Sequence, residues 1–191
     1  MKLIESIHFH GPFAFRAPGN TIANSEFAKS EGIYLWTLSD SDSIYIHYIG
    51  ETTSFLKRQK EHLLNILSLN YGLFSPNAVA ENSPTPIYGG AWRDKSSDPL
   101  TGAIENWDIY KDQIIPYIDS LHVYFAETAC DTSARRHIEA CIAHDLRVNH
   151  PEDKLFYPDD NRTTMRKVKL GYHLRVHCSD NIKGLSDSIE I

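Results

Sequence analysis

Two apolar runs separated by a short polar segment predict two neighbouring strands in the first third of the chain. β-Branched and aromatic residues dominate residues 33–38 and 44–49, as is typical of strands. Residues 39–43 between them are serine and aspartate, whose short side chains hydrogen-bond to the local backbone and favour a turn. A hairpin is the simplest connection between the two strands.

Residues 55–69 predict an amphipathic helix, because their apolar positions follow a helical period. Ser54 is a residue type that caps such helices. Arg58, His62 and Asn65, at i, i+4 and i+7, form a polar stripe that can border a cleft. The stripe flanks the predicted buried side, which comprises Leu56, Leu63, Ile66, Leu67 and Asn70.

A third strand is predicted at 121–127, followed by a second strong helix at 133–148 with Asp131 or Thr132 as its cap. Glu139 lies at the edge of the helix side that we expect to be buried. That side comprises Ile138, Cys141, Ile142 and Leu146.

The other segments are less regular. Residues 1–30 predict a short strand or arm that packs on the core. Residues 71–101 are punctuated by glycine and proline and predict a long loop, either functional or mobile. A short helix, interrupted or kinked by Pro116, is expected at about 104–118.

Near the C-terminus, apolar and basic residues alternate, and residues 162–178 contain no acidic residue. This pattern predicts a strand or hairpin with one buried and one cationic face. The cationic face comprises Lys167, Lys169, His173, Arg175 and His177. A solvated sheet face is the ordinary explanation of such a strand.

These elements predict one domain at 1–191, of the α/β (α+β) class. We expect a small, mainly antiparallel three-stranded sheet flanked by helices, with its core at about 30–70 and 120–150. A long insertion at about 71–119 and a C-terminal basic strand extension at about 160–180 complete the prediction.

The composition is typical of a soluble globular protein, with 41% apolar and 23% charged residues and no run of the roughly 18 to 20 apolar residues that a membrane span needs. The first residues lack the pattern of a secretory signal. Three cysteines are too few for a disulfide framework, so a reducing cytoplasm is expected. The net charge of -6 argues against a protein that coats nucleic acid non-specifically. It does not exclude a nuclease with a local basic surface.

The candidate chemistry comes from two tripeptides, Gly32-Ile33-Tyr34 and Tyr48-Ile49-Gly50, followed by Arg58 and His62. Phosphodiester hydrolysis needs an attacking water, a proton acceptor and cations over the developing charge. Phenols with a pKa near 10 are poor bases alone, but a neighbouring guanidinium or imidazole can assist them. The alternative is a pair of tyrosines that only pack across a hairpin.

This order of residues, with Glu139 on the later helix, resembles the GIY-YIG endonuclease superfamily. The resemblance implies a DNA endonuclease that uses Mg²⁺, with Mn²⁺ as a substitute. It makes Tyr34 the general base or base relay, and Tyr48 its partner near the attacking water. Arg58 would grip the scissile phosphate, His62 would support proton transfer, and Glu139 would hold the metal.

The resemblance also implies a supporting role for Asn149, with Asn161 as a weaker candidate. Lys167, Lys169 and Arg175 become candidate contacts to the phosphate backbone of double-stranded DNA. The long insertion is similar to those of restriction enzymes in the superfamily, so sequence-specific cleavage is expected. A homodimer is plausible, because a double-strand cut with one site per chain needs two protomers or two visits.

Two departures from the family pattern affect this hypothesis. Thirteen residues separate Tyr34 from Tyr48, somewhat more than usual, and Glu51 adds a carboxylate directly after the second tripeptide. Such a carboxylate can weaken phosphate binding. The alternatives are a catalytically inactive nucleic-acid-binding protein on the same fold, and a mobile-element or toxin nuclease of low specificity.

Overall fold

The computed structural model describes residues 3–92, 99–158 and 171–190. Within them the strands are β1 (Leu3–Ala14), β2 (Gly32–Ser39), β3 (Ile44–Thr52), β4 (Leu121–Glu127), β5 (Tyr172–Cys178), β6 (Ile182–Lys183) and β7 (Ser188–Glu190). The helices are α1 (Phe55–Leu67), α2 (Pro99–Glu105), α3 (Trp107–Ser120) and α4 (Thr132–Val148). Two short 3-10 helices, Ile22–Asn24 and Glu26–Lys29, lie between β1 and β2.

The prediction of a three-stranded sheet is wrong, because the described strands form a seven-stranded mixed sheet in the order β6-β3-β2-β4-β1-β5-β7. Strands β2, β3 and β4, expected from the sequence, are antiparallel and adjacent. Strand β1 then pairs antiparallel with β4 and parallel with β5. The overall class is still α+β.

Strand β1 is the main reason for the larger sheet. The short arm predicted at 1–30 contains a twelve-residue strand that lies inside the sheet, between β4 and β5. Gly11 and Pro12 hide this strand in the sequence. They coincide with a register shift between His10 and Phe13, and a bulge is where a sheet tolerates both residue types.

Each face of the sheet carries its own hydrophobic core. Helices α1 and α3 pack on the face that holds Tyr34, Trp36 and Phe125. Helix α4 packs on the opposite face, against Ile33 and Leu35. Eight buried residues of the predicted insertion at 71–119 join the first core, so the described part of this segment belongs to the folded unit: Leu73, Ala78, Val79, Tyr88, Ala103, Ile114, Tyr117 and Ile118.

The predicted helices lie at the expected positions, but their caps and their number differ from the prediction. Asp131 caps α4 by accepting a hydrogen bond from the backbone N–H of Ala134 at 2.9 Å. Ser54 precedes α1, but its side chain makes no capping hydrogen bond. The helix expected at 104–118 is two helices, α2 and α3, and Pro116 lies within α3.

Among the described residues, no helix combines the length and apolar character needed to cross a membrane.

Helix α1 buries a different side from the predicted one. Gln59 and His62 are buried together with Phe55 and Ile66, whereas Leu67, which we expected to be buried, is 42% exposed. The two polar side chains hydrogen-bond to aromatic residues of β2, which offsets the cost of burying them. Specific hydrogen bonds therefore set the rotation of this helix.

The C-terminal strand confirms part of the predicted alternation. In β5, Tyr172, Leu174 and Val176 are buried, while Arg175 and His177 are exposed. Two of the predicted cationic residues, Lys167 and Lys169, and the weaker candidate Asn161, lie outside the described residues.

A buried arginine joins α4 to the loop before β2 and to the end of β3. Arg135, 1% exposed, donates to Glu31 Oε2 at 2.8 Å and to the Cys130 carbonyl at 2.6 Å. Its Nε donates to Glu51 Oε2 at 3.4 Å, and Arg136 Nε donates to the other oxygen of Glu51 at 3.3 Å. Glu51, the departure from the family pattern, is therefore neutralised by two arginines on the α4 face.

We expect Arg135→Met to lower the free energy of unfolding by about 3 kcal/mol, because it leaves partly buried polar groups without their donor. Arg136→Met should cost less than about 1 kcal/mol, since its side chain is 57% exposed. Urea denaturation of both variants measures the difference. Equal small losses would contradict a bridging role for Arg135.

Candidate active site

The hairpin of β2 and β3 brings the two tyrosines of the tripeptides together. Tyr34 pairs with Gly50 and Trp36 pairs with Tyr48, before a register shift at the next position of β2. The ring centroids of Tyr34 and Tyr48 are 6.1 Å apart, with an interplanar angle of 27°. Both tyrosines belong to the core on the α1 face of the sheet.

The glycines of the tripeptides are required by close approach. A Cβ at Gly50 would overlap the hydroxyl end of the Tyr34 ring, which crosses the backbone of β3 at this point. A Cβ at Gly32 would overlap the carbonyl oxygen of Ala126 on β4. The missing side chain at Gly50 therefore provides the space in which the Tyr34 hydroxyl lies.

A chain of hydrogen bonds links three side chains beneath α1. The Tyr34 hydroxyl lies 2.6 Å from Nε2 of His62, whose Nδ1 lies 3.0 Å from the Tyr71 hydroxyl. Arg58 Nε donates to the same Tyr34 oxygen at 3.3 Å. Because the phenol hydrogen then needs an acceptor, we assign it to His62 Nε2, with Nδ1–H donating to Tyr71. This tautomer satisfies every group in the chain.

The protonation states follow from burial. Burial, assisted by the positive charge of Arg58, lowers the pKa of His62 to about 3, so the imidazole is neutral at neutral pH. Burial also raises the pKa of Tyr34 well above its usual value of 10. Tyr48 and Glu139 add to that rise, while Arg58 opposes it. Tyr34 is therefore a protonated phenol beside a neutral base.

Arg58 connects the buried chain to solvent. Besides the bond to Tyr34, its Nη1 donates to Glu61 Oε2 at 3.1 Å, within the same helix. The Arg58 side chain is 37% exposed, whereas Tyr34 and His62 are almost fully enclosed. A guanidinium in this position can contact an anionic group that approaches from outside.

Glu139 lies on α4, which packs on the opposite face of the sheet, and it acts on the same phenol through its charge. It is 5% exposed, and its charge contributes to the raised pKa of Tyr34. The structure thus brings four of the residues predicted as catalytic into contact with one another, namely Tyr34, Tyr48, Arg58 and His62. Glu139, the predicted metal ligand, is linked to them by its electrostatic effect on Tyr34.

Other predicted residues lie elsewhere. Asn149 caps the C-terminus of α4, where its side chain donates to Asp145 Oδ1 at 2.7 Å. It is ten residues from Glu139, or about 15 Å along a helix, so the two do not share a site. Arg175 lies on β5, three strand spacings from β2, roughly 14 Å across the sheet.

The sequence-based prediction missed Tyr71 and Gln59. Tyr71 follows α1 and returns towards His62 through a turn in which its backbone N–H donates to the Asn65 carbonyl at 3.2 Å. Gln59 Oε1 accepts a hydrogen bond from Trp36 Nε1 at 2.8 Å. The sequence offered only weak indications of these two residues: Tyr71 lies just beyond the helix, and Gln59 lies three positions before His62.

We expect Gly50→Ala to lower the free energy of unfolding by about 1–3 kcal/mol, because the added methyl group displaces the Tyr34 ring from its site. Gly102→Ala in α2 is the matched control, since its Cβ would meet open space. Urea denaturation compares the two variants. Equal tolerance of both substitutions would contradict the proposed contact between Gly50 and Tyr34.

His62 predicts a specific pH dependence. Its native pKa of about 3 lies below its ordinary value of 6.5, so between these values the unfolded chain binds a proton that the native state excludes. Stability is therefore lost as the pH falls, by about 2 kcal/mol between pH 7 and pH 5. His62→Gln should reduce this loss by a similar amount. Parallel stability profiles from denaturation across that range would refute the assignment.

Comparisons of the chain with protein-family models, with curated proteins and with solved structures find no significant match. They leave the resemblance to the GIY-YIG superfamily as a hypothesis that depends on the residues themselves. Support for a function at this site comes from its own geometry.

Proposed function

We propose that this protein is a metal-dependent DNA endonuclease of the GIY-YIG type, which hydrolyses phosphodiester bonds. The observation that carries the proposal is the contact of one buried phenol oxygen, that of Tyr34, with both an arginine and a neutral imidazole. An arrangement that needs a glycine opposite the tyrosine and places polar groups inside an aromatic core is costly as packing alone. A proton relay at a reaction centre explains that cost.

The proton steps can be written for the residues of the chain. An attacking water gives a proton to the Tyr34 oxygen as the phenol proton moves to His62 Nε2. The raised pKa of Tyr34 keeps it protonated at rest, so it transfers a proton without standing as a phenolate. His62 is neutral, and its unprotonated Nε2 already accepts the hydrogen bond along which this transfer runs.

Arg58 would bind the scissile phosphate. Its side chain is partly exposed and already oriented by Tyr34, so its charge lies beside the point of attack. In this step the water oxygen forms a bond to phosphorus, and the bond from phosphorus to the leaving sugar oxygen breaks. The leaving oxygen takes a proton from solvent, and His62 gives the proton it received back to solvent, which its lowered pKa favours.

The residues present fit a magnesium ion. Glu139 provides a buried carboxylate whose charge acts on the Tyr34 phenol, and Mg²⁺ commonly binds one or two carboxylates, with water and phosphate oxygens as further ligands. Mg²⁺, or Mn²⁺ in its place, would supply positive charge that stabilises the developing charge on the phosphate.

The proposed substrate is double-stranded DNA, cut at a specific sequence by a restriction-type enzyme. A homodimer would place two sites on the two strands. Arg175, with its exposed side chain on β5, remains a proposed contact to the phosphate backbone.

Incubation with supercoiled plasmid and Mg²⁺ or Mn²⁺ tests the proposal. We expect nicked and linear products, and none in EDTA. Glu139→Gln and Arg58→Ala should each reduce the cleavage rate by at least about 100-fold, because each removes charge stabilisation from the transition state. Arg16→Ala is the matched control, since Arg16 pairs with Asp119 at the surface and should cleave like the wild type.

The product pattern separates the remaining alternatives. Discrete bands support sequence-specific cleavage, whereas a smear indicates a nuclease of low specificity. Binding of DNA without metal-dependent cleavage would overturn the proposal in favour of an inactive binding protein. Folding of each variant is checked by urea denaturation, so that loss of structure is not mistaken for loss of catalysis.

A further inference from the structure

We infer that Trp92 is a stacking platform for an unpaired nucleobase next to the scissile phosphate, an inference that rests on the proposed nuclease function. The structure leaves its indole ring 62% exposed, close to the hydrogen-bonded chain of the candidate site. The substrate class that follows is DNA in which a base near the cut is unpaired or extruded.

Ring contacts connect Trp92 to the site. The indole meets the Tyr71 ring edge-on, with centroids 5.3 Å apart and an interplanar angle of 78°. Tyr71 in turn lies 5.7 Å from the His62 ring and hydrogen-bonds to its Nδ1. Trp92 is therefore two ring contacts from the imidazole that would receive the proton.

The backbone holds Trp92 in place. Its N–H donates to the Asn70 carbonyl at 3.3 Å, and the N–H of Ala91 donates to the Leu69 carbonyl at 3.0 Å. Gly90 permits this pairing, because it has a φ of +88° and a Cβ there would lie 2.6 Å from the backbone nitrogen of Gly72. The exposed ring is thus attached to the end of α1 at a defined position.

The occupant follows from what lies beside the ring. The partly exposed Arg58 suits a phosphodiester, and the flat group that DNA attaches to its sugar-phosphate backbone is the nucleobase. A paired base inside a duplex is already stacked on both faces, so only an unpaired or extruded base can cover an indole. Stacking of one base on an aromatic side chain is worth about 1–3 kcal/mol.

The test is oligonucleotide binding by the full chain in EDTA, where no metal-dependent cleavage proceeds. Three fluorescent probes are compared: a paired duplex, the same duplex with one unpaired nucleotide, and a single strand. We expect Trp92→Ala to weaken binding of the last two by roughly 5- to 100-fold while changing the paired duplex less than about twofold. Trp92→Phe should retain most of the affinity.

Trp107→Ala is the matched control, because Trp107 is also an exposed tryptophan, 45% accessible, at the start of α3. It should bind all three probes like the wild type. In Trp107→Phe, the two remaining tryptophans are buried Trp36 and exposed Trp92, so quenching by the single strand would report on Trp92.

Unchanged binding by Trp92→Ala, or an equal loss on all three probes, would overturn the inference. So would an equal effect of Trp107→Ala. Failure of the nuclease proposal is distinguishable, because it appears as absent plasmid cleavage with metal. A protein that never cuts DNA but loses affinity for unpaired bases in Trp92→Ala would keep the stacking site and lose the catalytic assignment.

Discussion

The hydrogen bond between the Tyr34 hydroxyl and His62 Nε2 is the interaction on which the rest of the candidate site depends. It joins the sheet to α1 inside an aromatic core, where an unpaired polar group would be costly. Gly50 leaves room for it, and Tyr71 satisfies the far side of the imidazole. The same bond fixes the rotation of α1 and thereby directs Arg58 towards solvent. Packing of the core and the proposed chemistry thus both require the hydrogen bond between Tyr34 and His62.

The sequence predicted the local elements better than their assembly. Runs of β-branched and aromatic residues located β2, β3 and β4, and a helical period located α4, because each segment has the composition or period of its element. The same rules failed for α1, where they placed Leu67 inside and His62 at the edge. Apolar periodicity cannot anticipate a helix whose buried side is selected by hydrogen bonds to a particular strand. The sequence rules also failed for β1. Glycine and proline normally mark turns, but Gly11 and Pro12 accompany a bulge within this strand.

Tyr34, Tyr48, Arg58 and His62 were predictable as neighbours because the two tripeptides and the helix after them are close in sequence. Tyr71 was not, since only a turn at the end of α1 brings it back to His62. Glu51 illustrates the opposite error: beside the second tripeptide it suggests interference with phosphate binding, yet in the structure it pairs with Arg135 and Arg136. Strand alternation explains this, because neighbouring residues of β3 point to opposite faces. Whether a strand residue belongs to the site therefore depends more on the face of the sheet to which it points than on its distance in sequence.

The position of β1 affects the order in which the strands can pair while the chain is being synthesised. Its two partners in the sheet are β4 and β5, which begin at Leu121 and Tyr172. Strand β1 must therefore wait for more than a hundred further residues to be made before it can pair, whereas the β2–β3 hairpin can close soon after it emerges from the ribosome. Long-range pairing of this kind slows folding and leaves strand edges open to wrong partners. The newborn protein thus contains both tyrosines of its candidate site well before the sheet that will enclose them.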